Sequence, residues 1–218
     1  MPLPPTPAGL RLDEDDGVVT LTLDRPEKLN ALDAEMVEGL ADVFEGLHDD
    51  GAARPVLVVG EGRATCAGMD RAIVSGDYAG EHADLDATVQ RVYELVETYP
   101  APVAVAARGA LVGMGFLFAT ASDLLFVAEE TRLAVPEISY GIVSDYGTTR
   151  LPELVGRRVA VEFLLTGDPI DPDRAASVGL VNAVVAPEEV EATARARLER
   201  IAEHDPSAVA GVLERIGR

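Results

Sequence analysis

The sequence predicts an α/β fold: one main body of alternating strands and helices, closed by a short helical segment. Three observations carry this. Short apolar runs alternate with stretches of helical spacing through the first 130 or so residues. Gly, Pro and Asp clusters punctuate them at the places where a chain must turn. After Gly141 the pattern is mainly helical. A chain of 218 residues suits one domain with a core of useful size.

Residues 10–13 and 18–23 read as strands, and Asp16-Gly17 between them suggests a hairpin. Asp33 is placed to cap a helix whose apolar face is Met36, Val37, Leu40, Val43, Phe44 and Leu47. A strand over 55–60 leads into a Gly-rich turn through Gly62 and Gly68, then an acidic loop over 77–84. A helix over about 86–99 is followed by a strand at 103–106. Gly109, Gly113 and Gly115 open another helix, and a strand at 124–127 follows it. Beyond Gly141 a strand over 181–185 interrupts the helices. Pro187 suits the first turn of a helix over 188–203, and a last helix spans 206–216. The body is therefore expected over residues 1–185 and the helical segment over 186–218.

Composition excludes several classes. The chain carries 38 acidic against 18 basic residues, a net charge of -20, with Lys28 its single lysine. Nothing in it could neutralise a run of phosphates, so no nucleic-acid partner is expected. Self-repulsion on so acidic a surface is relieved at molar salt, where the Debye length is about 3 Å. Adaptation to a salt-rich cytoplasm is one reading; an acidic, Arg-favouring proteome is the other. No apolar run approaches the roughly 18 residues that span a bilayer, so no membrane partner is expected. The N-terminus lacks the pattern of a secretory signal, and Cys66 is the single cysteine. A cytoplasmic location is expected. His48, His82 and His204 lack ligand spacing, so no metal is expected.

Two Gly-rich turns each follow an apolar strand and precede a helix: Cys66-Ala67-Gly68-Met69-Asp70, and residues 109–115. Such turns leave backbone N–H groups unpaired at the helix start, and glycine lets the backbone approach a ligand. They either aim two donors at one developing oxyanion or simply pack tightly. Gly113-Met114-Gly115 begins like a dinucleotide fingerprint, but Phe118 occupies its last glycine position. No G-x-S-x-G elbow is present, which argues against a serine hydrolase. Glu137, an acid after Pro136 in an apolar context, is either solvated or catalytic.

An ordered series of motifs makes the reading specific. Asp24-Arg25-Pro26-Glu27-Lys28-Leu29-Asn30-Ala31-Leu32 resembles the N-R-P-x-x-x-N-A-L segment of the enoyl-CoA hydratase/isomerase (crotonase) family. Residues 64–70 are similar to its F-C-A-G-A-D turn, and 110–123 to its A-x-G-G-G-x-E-L-A-x-x-C-D segment. Ala134-Val135-Pro136-Glu137 with Gly141 resembles F-x-x-P-E-x-x-x-G. Leu164-Leu165-Thr166-Gly167 and Gly179-Leu180-Val181-Asn182 match later landmarks. The series runs from about residue 10 to 205 and closes early, so the family's closing helices are expected to be shortened.

The resemblance implies a crotonase-like spiral of ββα units, commonly a homotrimer or a hexamer of paired trimers. It implies an acyl-CoA thioester substrate, with coenzyme A entering as part of the substrate and no other cofactor. It makes the backbone N–H groups of Met69 and Met114 the oxyanion donors and Glu137 a catalytic acid/base. The family's other catalytic glutamate maps onto Leu117. Asp145 falls near a second acid of the family's dienoyl-CoA isomerases, though the sequence between Gly141 and Thr149 departs from the usual pattern. Tyr140, Ser144 and Tyr146 stand close by. Arg25, Lys28, Leu29, Ala67 and Asp70 are implied on the CoA side. One base is enough to move a double bond from the 3,4 to the 2,3 position, so a Δ3,Δ2-enoyl-CoA isomerase is expected first. A 2-enoyl-CoA hydratase and an inactive CoA-binding protein are the alternatives.

Overall fold

In the computed structural model, which describes residues 3–75 and 82–216, β1 (Leu10–Asp15) and β2 (Val18–Leu23) form the expected antiparallel hairpin. Asp15 pairs with Val18, which leaves Asp16 and Gly17 as a two-residue loop. Their φ values of 48° and 76° are both positive, as the turn that matches strand twist requires. From β2 onward the sheet is parallel: β3 (Val56–Gly60), β4 (Val103–Ala107), β6 (Leu124–Ala128) and β8 (Ala183–Val185) follow in the order β1-β2-β3-β4-β6-β8. Strands β2, β3 and β4 are buried along their whole length. That explains why β3 and β4 read as apolar runs, and why β2 buries Thr20 and Thr22 with its apolar residues: helices cover both faces of a parallel sheet.

On one face lies α1 (Ala34–Asp49), capped as expected by Asp33, whose carboxylate accepts from the Met36 N–H at 3.0 Å. Its six predicted apolar residues are all buried. Beside it, after the single turn α2 (Arg71–Val74), lie α3 (His82–Glu97) and α4 (Met114–Ala121). Every residue of α4 is buried, and its one polar side chain, Thr120, donates back to Leu117 O at 2.7 Å. The other face is covered by α8 (Val190–Ala202), which seats Val190, Ala194 and Leu198 against Val18, Leu57, Ala104 and Phe126.

A second, smaller layer decides where the site lies. Strand β5 (Ala110–Val112) pairs in parallel with β7 (Arg132–Ala134). Single bridges extend this layer: Leu32 to Met69, Cys66 to Leu111, and Leu133 to Ile170. Successive turns of the chain thus add a strand to the main sheet, a short stretch to the second layer, and a helix. This is the expected spiral of ββα units. The short strands β5 and β7 were not legible in the sequence, because three residues are too few to show a period of two.

After the 3-10 turn Pro136–Tyr140 come α5 (Asp145–Val155), α6 (Arg157–Thr166) and α7 (Pro172–Ser177), with α9 (Pro206–Ile216) last among the described elements. Several boundaries differ from expectation. The helix expected over 86–99 begins at His82 and ends at Glu97. The helix expected over 188–203 begins at Val190, so Pro187 lies in the preceding turn. The strand expected over 181–185 is reduced to β8, because the Asn182 side chain takes the Leu125 N–H at 2.7 Å. Most of the acidic loop expected over 77–84 lies outside the described residues. No described helix is long and apolar enough to cross a membrane.

Candidate active site

The two Gly-rich turns meet at the head of α4. The first is laid against the segment 29–32. Ala67 N–H donates to Leu29 O at 3.0 Å, Leu32 N–H to Gly68 O at 2.8 Å, and Asp70 N–H to Leu32 O at 2.8 Å. The Met69 N–H has no acceptor among the described residues. The second turn is fixed by the Gly113 N–H, which donates to Ala134 O at 2.9 Å, and by the Val112 N–H, which donates to Cys66 O at 3.0 Å. Met114 is the first residue of α4, ahead of the helical hydrogen-bond ladder, and its N–H likewise has no acceptor among the described residues. Two unused donors at touching turns are what an oxyanion site needs.

Gly113 is the joint of this arrangement. Its φ of 55° and ψ of -128° suit glycine alone. A Cβ there would lie 3.0 Å from Oε1 of Glu137 and 3.8 Å from the Cα of Gly68. The carboxylate of Glu137 therefore rests against the turn that presents Met114. Glu137 is carried there by the 3-10 turn that follows β7. Burial pushes its carboxyl above the ordinary carboxylate range, opposed in part by its own backbone N–H. Its Oε2 is buried and has no hydrogen-bond partner among the described residues. A carboxyl raised by desolvation is suited to carrying a proton near neutral pH.

Beside Glu137 lies a small cleft open to solvent. Ile138, Ile142, Val143, Leu164 and Leu165 make it apolar, with Ser144 and Thr148 as its hydroxyls. Leu117, one turn into α4, is buried, and its Cδ2 would lie 3.2 Å from a Cβ on Gly147. Asp145 is exposed in the first turn of α5 and does not line the cleft, although its neighbour Ser144 does. Ser144 caps α5, its Oγ accepting from the Gly147 N–H at 3.1 Å. Tyr146 turns away: its hydroxyl donates to Glu97 at 2.6 Å and its ring stacks on Tyr93 at 4.2 Å. Tyr140 is exposed.

The residues expected on the CoA side do gather near the first turn. Leu29 ends a 3-10 turn, Pro26–Lys28, with a φ of 54°. Lys28 is exposed. Arg25 is more enclosed: its Nη1 donates to Asp70 at 2.8 Å and to Ala31 O at 3.1 Å, and lies 3.2 Å from Asp33. Asn30, which sequence reasoning quoted but did not single out, is fully buried at a φ of 54°. Its amide donates to Glu61 O at 2.9 Å and to Ala64 O at 2.8 Å, and its Oδ1 accepts from the Arg25 N–H at 2.8 Å. The available signal was chemical: Asn tolerates left-handed backbone and can bond on both sides of its amide. Burial pushes the Cys66 thiol up to about 12, so it is an inert packed side chain. Among the described residues no group of three His, Cys, Asp or Glu could hold a metal.

This spiral, with unpaired donors at two touching turns and a half-buried carboxylate against them, defines a crotonase-type acyl-CoA enzyme. The family model for enoyl-CoA hydratase/isomerase matches residues 13–217, and the chain belongs to that family. It is 34% identical over 181 residues to the crotonyl-CoA hydratase of Syntrophomonas wolfei, covering 82% of this chain and 70% of the relative. It is 32% identical over 186 residues to the 1,2-epoxyphenylacetyl-CoA isomerase of Escherichia coli, covering 83% and 71% respectively. A crystal structure from Thermobifida fusca in complex with CoA superposes with a TM-score of 0.85 at 30% identity, covering 95% of this chain and 83% of that one.

Proposed function

We propose that this chain shifts the double bond of a 3-enoyl-CoA to the 2 position, with Glu137 as its single proton carrier. Glu137 takes a proton from C2 of the thioester. The charge that develops on the carbonyl oxygen is held by the N–H groups of Met69 and Met114, which gain strength as the enolate forms. Glu137 then returns the proton to C4. The observation that carries this reading is a single half-buried carboxylate at the Gly113 turn, with an aliphatic side chain at the position where the resemblance puts a second acid. Glu137 rests on the Gly113 turn, and buried Leu117 occupies the place where the resemblance puts a second glutamate. Leucine cannot activate water, and isomerisation does not require that it should. The apolar cleft beside Glu137 suits the acyl chain, and Lys28 and the segment around Leu29 and Ala67 suit the CoA moiety. The exposed apolar side chains Val212 and Ile216, outside the cleft, favour a homotrimeric or hexameric assembly that covers them.

The second reading is a 2-enoyl-CoA hydratase. The name of the Syntrophomonas wolfei relative favours it, and the hydroxyls of Ser144 and Thr148 in the cleft could hold a water. Both reactions are followed with one enzyme preparation, on a 3-enoyl-CoA and on the corresponding 2-enoyl-CoA, and then with Asp145→Asn. Isomerisation is expected to be the faster, with Asp145→Asn altering it less than about threefold, as for an exposed acid outside the reaction. Hydration faster than isomerisation would replace the isomerase by a hydratase, with Asp145 as its second acid if hydration collapses in Asp145→Asn and with water held by Ser144 and Thr148 if it does not.

A further inference from the structure

We infer that Arg25 and Asp70 act as a clamp that positions the first oxyanion donor, and that Arg25 is a positioning residue of the reaction. The inference rests on the proposed enolate chemistry at Met69. Asp70 is the residue directly after Met69, and it is tied on three sides. Its N–H donates to Leu32 O at 2.8 Å. Its Oδ1 accepts from the Ala72 N–H at 3.1 Å. Its Oδ2 accepts from Arg25 Nη1 at 2.8 Å. That same Nη1 donates to Ala31 O at 3.1 Å and stands 3.2 Å from Asp33, the cap of α1. One guanidinium nitrogen therefore joins the loop 25–32, the head of α1 and the end of the first oxyanion turn.

The loop that carries Arg25 is itself immobilised. Leu29 and Asn30 both hold left-handed backbone at φ 54°, a conformation that persists only where surroundings enforce it. The buried Asn30 amide enforces it through Glu61 O, Ala64 O and the Arg25 N–H. The 29–32 segment then acts as the template along which residues 67–70 are laid. Without the Arg25 bond, Asp70 keeps its main-chain contacts but loses its link to this template from the side-chain direction. The Met69 N–H would still exist, but its direction toward the carbonyl oxygen would no longer be fixed. An error of about 1 Å in such a contact can cost about 100-fold in rate.

The test uses the full chain, with kinetics on a 3-enoyl-CoA and infrared or Raman spectra of a bound 2-enoyl-CoA, whose carbonyl band shifts when the oxyanion donors polarise it. Arg25→Met keeps the stem and removes the donors. It is expected to lower kcat by about 10–100-fold, to change KM less than threefold, and to reduce the carbonyl shift. Asp70→Asn, which retains the Arg25 contacts to Ala31 and Asp33, is expected to do the same to a smaller degree and serves if Arg25→Met does not fold. The double variant is expected to be no worse than Arg25→Met. A carbonyl shift unchanged in both single variants overturns the clamp, as does a raised KM at constant kcat that disappears with thioesters lacking the CoA 3′-phosphate. A wild-type complex without any carbonyl shift would instead overturn the proposed enolate chemistry.

Discussion

The two halves of the candidate site are built differently. The side that presents Met69 is over-determined: three main-chain bonds, a buried amide and an ion-paired guanidinium fix it. The side that presents Glu137 has its main chain bonded, Ile142 N–H donating to Glu137 O at 3.1 Å, but its side chain is loosely held. It lies on a five-residue 3-10 turn, Oε2 of its carboxylate lacks a partner among the described residues, and the chain beyond it exposes Ile142 and Val143. The difference suits the chemistry proposed for each. An oxyanion donor works by being in place before charge develops, so rigidity is its function. A carrier that shuttles a proton between C2 and C4, as proposed for Glu137, must alternate between charge states, so a poorly solvated, under-bonded carboxyl is useful. The rigid side is common to any enolate reaction, and the looser side is where the particular reaction is chosen.

The largest effect should come from the loose side. Glu137→Gln is expected to lower turnover by about 10²–10⁴-fold with little change in thioester affinity. The same variant should be more stable than the parent at pH 7. Burial raises the folded-state pKa of Glu137 above its ordinary value of 4.5. The folded protein therefore holds this proton more tightly than the unfolded chain. Stability falls as pH rises from the unfolded pKa through the folded one, and the cost remains at neutral pH. Glutamine removes that cost, so the gap in melting temperature should close as pH falls below about 4. Thermal unfolding from about pH 3 to 8 checks this. A gap that is constant with pH would mean that Glu137 is better solvated than its burial implies.

A smaller effect, on stability first, should come from the rigid side. Asn30→Ala leaves two carbonyls and one N–H without their partners and places alanine in left-handed backbone. The cost should be about 2–4 kcal/mol, read by denaturant unfolding. Residual folded enzyme should lose kcat more than affinity, because the template of the first turn is weakened. A variant as stable as the parent would show that the turn does not depend on this amide.

The smallest effect should be general to the surface. With a net charge of -20, raising KCl from low to molar concentration should raise the melting temperature by several degrees. The rigid side concentrates carboxylates around Arg25, with Asp33 and Asp70 close to it, and should be the least salt-sensitive region. Hydrogen exchange at both concentrations tests this. A melting temperature that is flat or falls with salt removes the salt-adaptation reading.

The sequence by itself determined the parts of this protein whose physics is local. The Asp16-Gly17 hairpin, the Asp33 cap and the buried face of α1 follow from turn chemistry and a 3.6-residue period. The ordered motifs led to the family and to Glu137 as the acid to inspect. Tertiary structure decided what depends on distant segments meeting. Strands β5 and β7 are too short to signal themselves, yet they bring the Gly113 turn, Glu137 and the first turn together. Only the fold revealed that the Asn30 amide reaches carbonyls more than 30 residues away. Only the fold placed Arg25 on Asp70, 45 residues along the chain, and turned Asp145 to solvent while Ser144 faces the cleft. A side chain's partners across such separations are set by the packing of the sheet layers, and no local pattern in the chain records them.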